Sequence, residues 1–257
     1  APTDLTLSVN EAAAFEADSL SFTNNDRGSG LIAGKVQQTL SGPSDYCGGT
    51  ISVTWSFTDD CGHNITHTQN ITVLPAPQAQ FLNTPDDLNL TVQQADNFSA
   101  PALVCTNGLS GAANITATVA PVITRNYSSC GGSMTVNWSF TDNCGRKAEH
   151  TQNISVTSTP IPNWINPPQN TTISCPDYQS YRSPELSFSN NQNGSYNISG
   201  TLTPQVQSIA DPCGSGFTET WSYTDRCGRT ISHSRFVAVT PTCDDGIQNQ
   251  GEEDIDC

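Results

Sequence analysis

The chain is 257 residues long with a formal charge of −15, ten cysteines, 19 glycines, 16 prolines and one methionine, and its only lysines are Lys35 and Lys147. Nucleic-acid backbones and anionic membrane surfaces need clustered Lys and Arg, so the charge argues against both as partners. No apolar run approaches the roughly 18 residues of a membrane span, and cysteine-rich, lysine-poor usage fits an oxidising, extracellular or cell-surface setting.

The chain opens Ala-Pro-Thr without an initiator Met or a signal-like apolar stretch, as a processed chain or a piece of a larger one would. After the segment SLSF (19–22), Ile51, Val53, Trp55 and Phe57 alternate with Ser52, Thr54, Ser56 and Thr58. This is the period-two pattern of a half-buried antiparallel strand, and no helical periodicity competes with it. Asp59-Asp60-Cys61-Gly62 reads as a turn, through side-chain capping and tolerance of positive φ. A second alternating strand follows, with Ile65, His67, Gln69, Ile71 and Val73. Beyond Pro75-Ala76-Pro77 the series starts again with PALVC (101–105) and Met134, Val136, Trp138 and Phe140; beyond STPIP (158–162) it starts a third time with PELSF (184–188).

The recurrence has a period of 83. It takes Trp55 to Trp138 and Trp221, Cys47 to Cys130 and Cys213, and Cys61 to Cys144 and Cys227. Three units follow, near 1–77, 78–160 and 161–241, with a tail at 242–257. The expected fold is all-β: three tandem immunoglobulin-like antiparallel β-sandwich domains and an acidic Cys-containing C-terminal tail. If facing residues in the first hairpin sum to 122, Trp55 opposes His67 and Val53 opposes Gln69. The same register sets Glu219 opposite Arg235 in the third unit. Val/Gln, Val/Gln and Glu/Arg change together, as cross-strand neighbours do, so an ion pair between Glu219 and Arg235 is expected.

The segments WSFTDDCG (55–62), WSFTDNCG (138–145) and WSYTDRCG (221–228), each followed by His-x-Gln or His-x-Arg in a strand ending in Val, resemble the HYR-like, immunoglobulin-like repeats found in tandem in very large surface adhesins of Bacteroidota, including gliding-motility adhesins exported by the type IX pathway. The resemblance covers residues 1–241. It implies a non-enzymatic stalk region of a secreted or surface-attached adhesin, whose partners are other domains of a larger chain or neighbouring protomers. The family's four-cysteine pattern implies that Cys175 and Cys213 share one end of the third unit, and Cys105 and Cys144 one end of the second. This chain departs from that pattern: the first unit has only Cys47 and Cys61, the second adds Cys105, and the third adds Cys175. The tail, TCDDGIQNQGEEDIDC, resembles a short acidic Cys motif of large secreted bacterial proteins.

Thirteen residues between cysteines is no zinc spacing, so the cysteines read as staples rather than metal or redox groups. A strand over residues 50–58 spans roughly 26 Å at about 3.3 Å per residue, whereas bridged Cα atoms lie about 4.4–6.8 Å apart. That places Cys47 and Cys61 at opposite ends of a sandwich, although parity within the first unit pairs them. Cys130 falls near Cys227 across a unit boundary, which leaves a bridge between domains open, and Cys61 then looks to a partner outside the chain. His67, His150 and His233 recur opposite the three tryptophans, which reads as packing rather than catalysis. No Gly-x-Ser-x-Gly elbow, triad or carboxylate pair appears, so no enzyme activity is expected.

In the tail, Asp245, Asn249, Glu252 and Asp256 offer oxygen ligands around a glycine turn, a candidate calcium site whose spacing departs from the EF-hand; the plainer alternative is a solvated linker closed by Cys243 and Cys257. Eleven Asn-x-Ser/Thr sequons occur, which strands rich in Asn and Thr generate by chance, and Asp18-Ser19-Leu20 resembles a Bacteroidota O-glycosylation signal. Segments 24–46, 107–129 and 190–212 differ most between units. They leave open a module that binds surface glycan or protein, and unpaired cysteines or edge strands leave open a self-assembling filament.

Overall fold

A computed structural model describes residues 1–42, 45–207 and 215–241. The expectations for Cys213, for the Cys243–Cys257 closure and for Asp245, Asn249, Glu252 and Asp256 as calcium ligands lie outside the described residues.

The chain is predominantly β. The first repeat contributes β1 (Leu5–Ser8), β2 (Leu20–Thr23), β3 (Ala33–Val36), β4 (Gln38–Ser41), β5 (Gly49–Thr58) and β6 (Asn64–Leu74). The middle repeat contributes β7 (Gln80–Phe81), β8 (Leu88–Thr91), β9 (Leu103–Thr106), β10 (Thr116–Val119), β11 (Val122–Ser128), β12 (Gly131–Thr141) and β13 (Lys147–Thr157). The last contributes β14 (Asn163–Ile165), β15 (Thr171–Ser174), β16 (Leu186–Ser189), β17 (Ser199–Leu202), β18 (Gln205–Gln207), β19 (Phe217–Thr224) and β20 (Thr230–Thr240). Two compact units are formed, one from Ala1–Leu88, Ser99–Thr124 and Thr135–Asn153, the other from Asn89–Phe98, Arg125–Met134 and the chain from Ile154 onward. The middle repeat contributes to both.

In the first unit β1-β6-β5-β4 form a sheet, and in the second β15-β20-β19-β18 do the same. The hairpin register pairs Trp55 with His67 and Val53 with Gln69, and Glu219 with Arg235. Ile51, Val53, Trp55, Ile71 and Val73 are buried on one face, against Leu7, Leu20 and Val36, while Ser52 and Asn70 hydrogen-bond on the other. The edge strands β1 and β15 run parallel to β6 and β20.

Three single-turn helices, α1 (Val9–Ala13), α2 (Val92–Asp96) and α3 (Cys175–Tyr178), depart from the helix-free expectation. Each is too short for periodicity to reveal and is set by its cap. The Ser8 and Thr91 side chains accept from the backbone N–H of Glu11 and Gln94, whose own side chains reach back to the cap, and Ser174 accepts from Asp177 N–H.

A second cross-strand column explains Cys105. Phe22 faces Gly34, Phe188 faces Gly200, and Cys105 faces Ala117. A Cβ added at Gly34 or Gly200 meets the facing ring at 3.0 Å, so ring size and glycine go together. In the middle repeat a smaller Cys tolerates Ala opposite.

Candidate functional site: the disulfide-clamped junctions

The DxCG turn is built by one carboxylate. Asp142 Oδ1 accepts from the backbone N–H of Cys144 (2.9 Å) and Arg146 (2.9 Å), and Asp225 Oδ1 from Cys227 (2.8 Å) and Arg229 (3.0 Å). Gly145 and Gly228, with φ of 77° and 76°, close the turn in the left-handed region that a side chain disfavours. The remaining oxygens face Arg146 Nε at 2.8 Å and Arg229 Nε at 2.7 Å. Burial pushes both carboxyls up, but the Arg backbone N–H and guanidinium outweigh it and hold them below their ordinary value.

Each Arg then reaches the segment that leads into its own repeat. Arg146 Nη1 donates to Ala76 O (2.5 Å) and Arg229 Nη1 to Thr159 O (2.7 Å). The N–H groups of these same two residues donate back into the preceding repeat, to Tyr46 O (3.0 Å) and Ser129 O (2.9 Å). Beside those acceptors lie the disulfides. Cys47 bonds Cys144 with Cα atoms 5.4 Å apart, and Cys130 bonds Cys227 at 5.3 Å. Both span 97 residues, linking the residue that precedes one repeat's long strand to the turn of the next.

A third contact completes each junction. Asn10 of α1 donates from Nδ2 to Ser110 O (3.1 Å) and accepts at Oδ1 from Ala113 N–H (3.0 Å). At the next junction Gln93 of α2 donates to Gln192 (2.8 Å), while Asp96 accepts from Tyr127 (2.9 Å) and from Tyr196. The hydrogen bond to Asp96 pushes the Tyr196 hydroxyl up to about 12, and the Tyr196 and Tyr127 hydroxyls lower the Asp96 carboxyl.

The cysteine expectations divide: Cys130 bonds Cys227, but two other pairings fail. Cys47–Cys61 is not a bridge, because the straight β5 separates them and Cys61 is free and exposed. Cys105–Cys144 is not a bridge either: Cys144 is taken by Cys47, and Cys105 is free and fully buried. Cys105 fills the column of Phe22 and Phe188 as a small hydrophobe, and burial pushes its thiol up. Cys175 is engaged in a disulfide. The aligned segments SLSF, PALVC and PELSF already set Phe, Cys and Phe in one column, a packing signal that the family's cysteine pattern overrode.

The histidines and tryptophans sit away from the junction chemistry as packing pairs. Ring centroids are 5.7 Å apart for Trp55–His67, 5.6 Å for Trp138–His150 and 5.7 Å for Trp221–His233. The outer imidazole nitrogens lie 2.8, 3.1 and 2.8 Å from Pro2 O, Pro85 O and Pro168 O, tying each N-terminal edge to its hairpin. Glu219, fully buried, pairs with Arg235 Nε at 2.5 Å and accepts from Tyr181, which also accepts from Arg235. Among the described residues no group of three or more His, Cys, Asp or Glu is placed to hold a metal ion, and no helix is long and apolar enough to cross a membrane.

No protein-family model and no curated protein matches the chain. Among solved structures it is similar, over 95% of its length, to extracellular cadherin domains 1–4 of protocadherin gamma B7, with 8% identity, a TM-score of 0.34 and 76% of that chain covered. Over 94% it is similar to mouse protocadherin-24 EC1-3, with 10% identity, a TM-score of 0.30 and 98% of that chain covered. The similarity to the M60 catalytic domain with CBM51 domains of Clostridium perfringens ZmpB has 12% identity and a TM-score of 0.22, and the chain spans 30% of that protein's length. Scores this low carry no argument about function.

Proposed function

We propose that the three repeats are tandem immunoglobulin-like domains forming an extension-limited, non-enzymatic stretch of stalk in an extracellular adhesin of the HYR-like kind. The observation that carries this reading is the stagger of the two disulfides. The loops closed by Cys47–Cys144 and Cys130–Cys227 overlap in residues 130–144, so both bridges end on the same strand and turn, β12 and its DxCG. A pull on the two ends of the repeat array therefore has a short covalent route: residues 1–47, across to 144, back to 130, and across to 227–241. The proline-bearing junctions lie outside that route and bear no load while the bridges hold.

The route contains about 77 residues, a contour of ~27 nm at about 3.5 Å per residue, against ~84 nm for the unbridged array. Disulfides suit an oxidising exterior, and the low charge of the hairpins with a strongly negative total keeps such an array soluble. Single-molecule pulling between handles at residues 1 and 241 tests it. Extension is expected to stop near the shorter contour without reductant and to reach the longer one with it; full extension in oxidising buffer contradicts the reading.

A further inference from the structure

Among the described residues the smaller sheet has three strands in the middle and last repeats, β10-β9-β7 and β14-β16-β17, and two in the first, β2-β3. The additional strand brings one large ring. Phe81 lies opposite Cys105. Trp164 lies opposite Phe188, edge-on at 5.7 Å, and Phe188 in turn stacks on Tyr223 at 4.1 Å. In the first repeat Phe22 stacks on Phe57 in the same manner, at 4.0 Å, but among the described residues no third ring covers the pair.

What remains there is a groove of ≈ 180 Å³ bordered by Leu20, Ser21, Phe22, Phe57, Ile65 and His67. Its counterpart in the middle repeat is the place where Phe81 borders Ala148 and His150. Burial follows occupancy: Cys105 and Phe188 are 0% and 4% exposed, but Phe22 is only half-buried and Ile65 is 52% exposed. The backbone follows it too. Leu82 N–H donates to Val104 O at 2.9 Å; Ser21 is the counterpart of Val104, and the N–H and C=O of one strand residue point to the same side. Ser21 thus offers a donor and an acceptor to an open edge beside an apolar groove, the arrangement that strand addition uses.

We propose that this edge and groove bind an extended, uncharged strand carrying one aromatic side chain, of the kind that residues 75–83 and 158–166 lay there in the other two repeats, supplied from outside residues 1–257. The same surface is an occupied interface in the other two repeats. The segments that fill it, residues 75–83 and 158–166, contain no charged residue, so a chain of charge −15 does not repel them. Cys61 is exposed and free in the turn whose counterparts, Cys144 and Cys227, are bonded to the preceding repeat, and this points to the same kind of neighbour. The inference holds whether or not the array bears load.

The test titrates the full chain into a fluorescein-labelled peptide of residues 158–166, STPIPNWIN, followed by anisotropy. Saturable binding is expected, weakened at least about tenfold by Trp164→Ala in the peptide. It is weakened equally by Ser21→Pro in the chain, which removes the edge N–H while sparing the β2–β3 ladder, or by Ile65→Trp, which fills the groove. Both chain variants change edge or exposed positions, and an unchanged circular-dichroism melt verifies that they fold. No saturation up to about 1 mM, or binding indifferent to the peptide change and to both chain variants, overturns the proposal. Self-association of the chain that Ser21→Pro abolishes while the peptide fails to bind assigns the groove to a second copy, and overturns it as well.

Discussion

Residues Asp59–His63 and Asp142–Arg146 fold into the same turn, with the aspartate accepting from the same two backbone N–H groups and a left-handed glycine in the same place. Their surroundings differ. His63 pairs with Asp59 at 2.8 Å but stands 82% exposed, whereas Arg146 covers an Asp142 side chain that is 1% exposed and continues to Ala76 O. Cys61 is a free thiol and Cys144 a bridge. The turn itself is therefore made by local chemistry, and it becomes a clamp where the residue after the glycine is long and forked enough to hold the carbonyl of the segment that leads into the repeat.

The largest expected break in this comparison comes from the bridge. Cys47→Ser with Cys144→Ser frees a loop of about 100 residues and is expected to lower stability by ~4–5 kcal/mol on the chain-entropy account, read as a shift of the denaturant midpoint. Cys61→Ser, in the equivalent turn, is expected to move it by less than ~0.5 kcal/mol. Next in size is the hairpin pair of the last repeat. Arg235→Gln alone strands the buried Glu219 and is expected to cost ~3–5 kcal/mol; adding Glu219→Val, which restores the pairing of the other repeats, should recover most of the loss in the same assay.

Arg146→Ala is expected to cost ~3 kcal/mol, because a buried carboxylate and a junction carbonyl both lose their partner. His63→Ala is expected to cost no more than ~1 kcal/mol as an exposed pair. The smallest effect is acid sensitivity. Asp142 and Asp225 titrate below their ordinary value of 3.8 when folded, so their stabilisation is complete above that value and drains away as pH falls through and below it. Urea melts between pH 2.5 and 6 should show the decline, and Asp142→Asn should flatten it.

The hairpins were legible because strands leave two marks in a sequence. Alternation assigns the inward face at Ile51, Val53 and Trp55, and the joint change of Val53/Gln69 to Glu219/Arg235 fixes which residues face each other. The junctions were legible in one place only: strand length set Cys130 near Cys227 across a unit boundary, where the structure has a bridge, whereas the matching Cys47–Cys144 bridge was not foreseen. A period of 83 aligns Cys47 with Cys130 and Cys61 with Cys144, but the bonds run between columns, from one repeat's Cys47 position to the next repeat's Cys61 position, and periodicity says nothing about contacts between successive units. Arg146 and Arg229 carry no mark in the sequence, because their acceptors are backbone carbonyls, which every sequence has. Cys105 was misread for the opposite reason: as a cysteine it drew a staple assignment, although its column of Phe22 and Phe188 described a core position. The one-turn helices left only their caps, Ser8 to Glu11 and Thr91 to Gln94, as a trace.

The central claim is that the DxCG turns of the middle and last repeats are fastened to the repeat before them. Peptide mapping of the unreduced chain, with free thiols alkylated before digestion, tests it most directly. The structure predicts one linked pair of peptides containing Cys47 and Cys144, a second containing Cys130 and Cys227, and alkylated Cys61 and Cys105. A linked pair joining Cys47 to Cys61, or Cys105 to Cys144, would contradict the account.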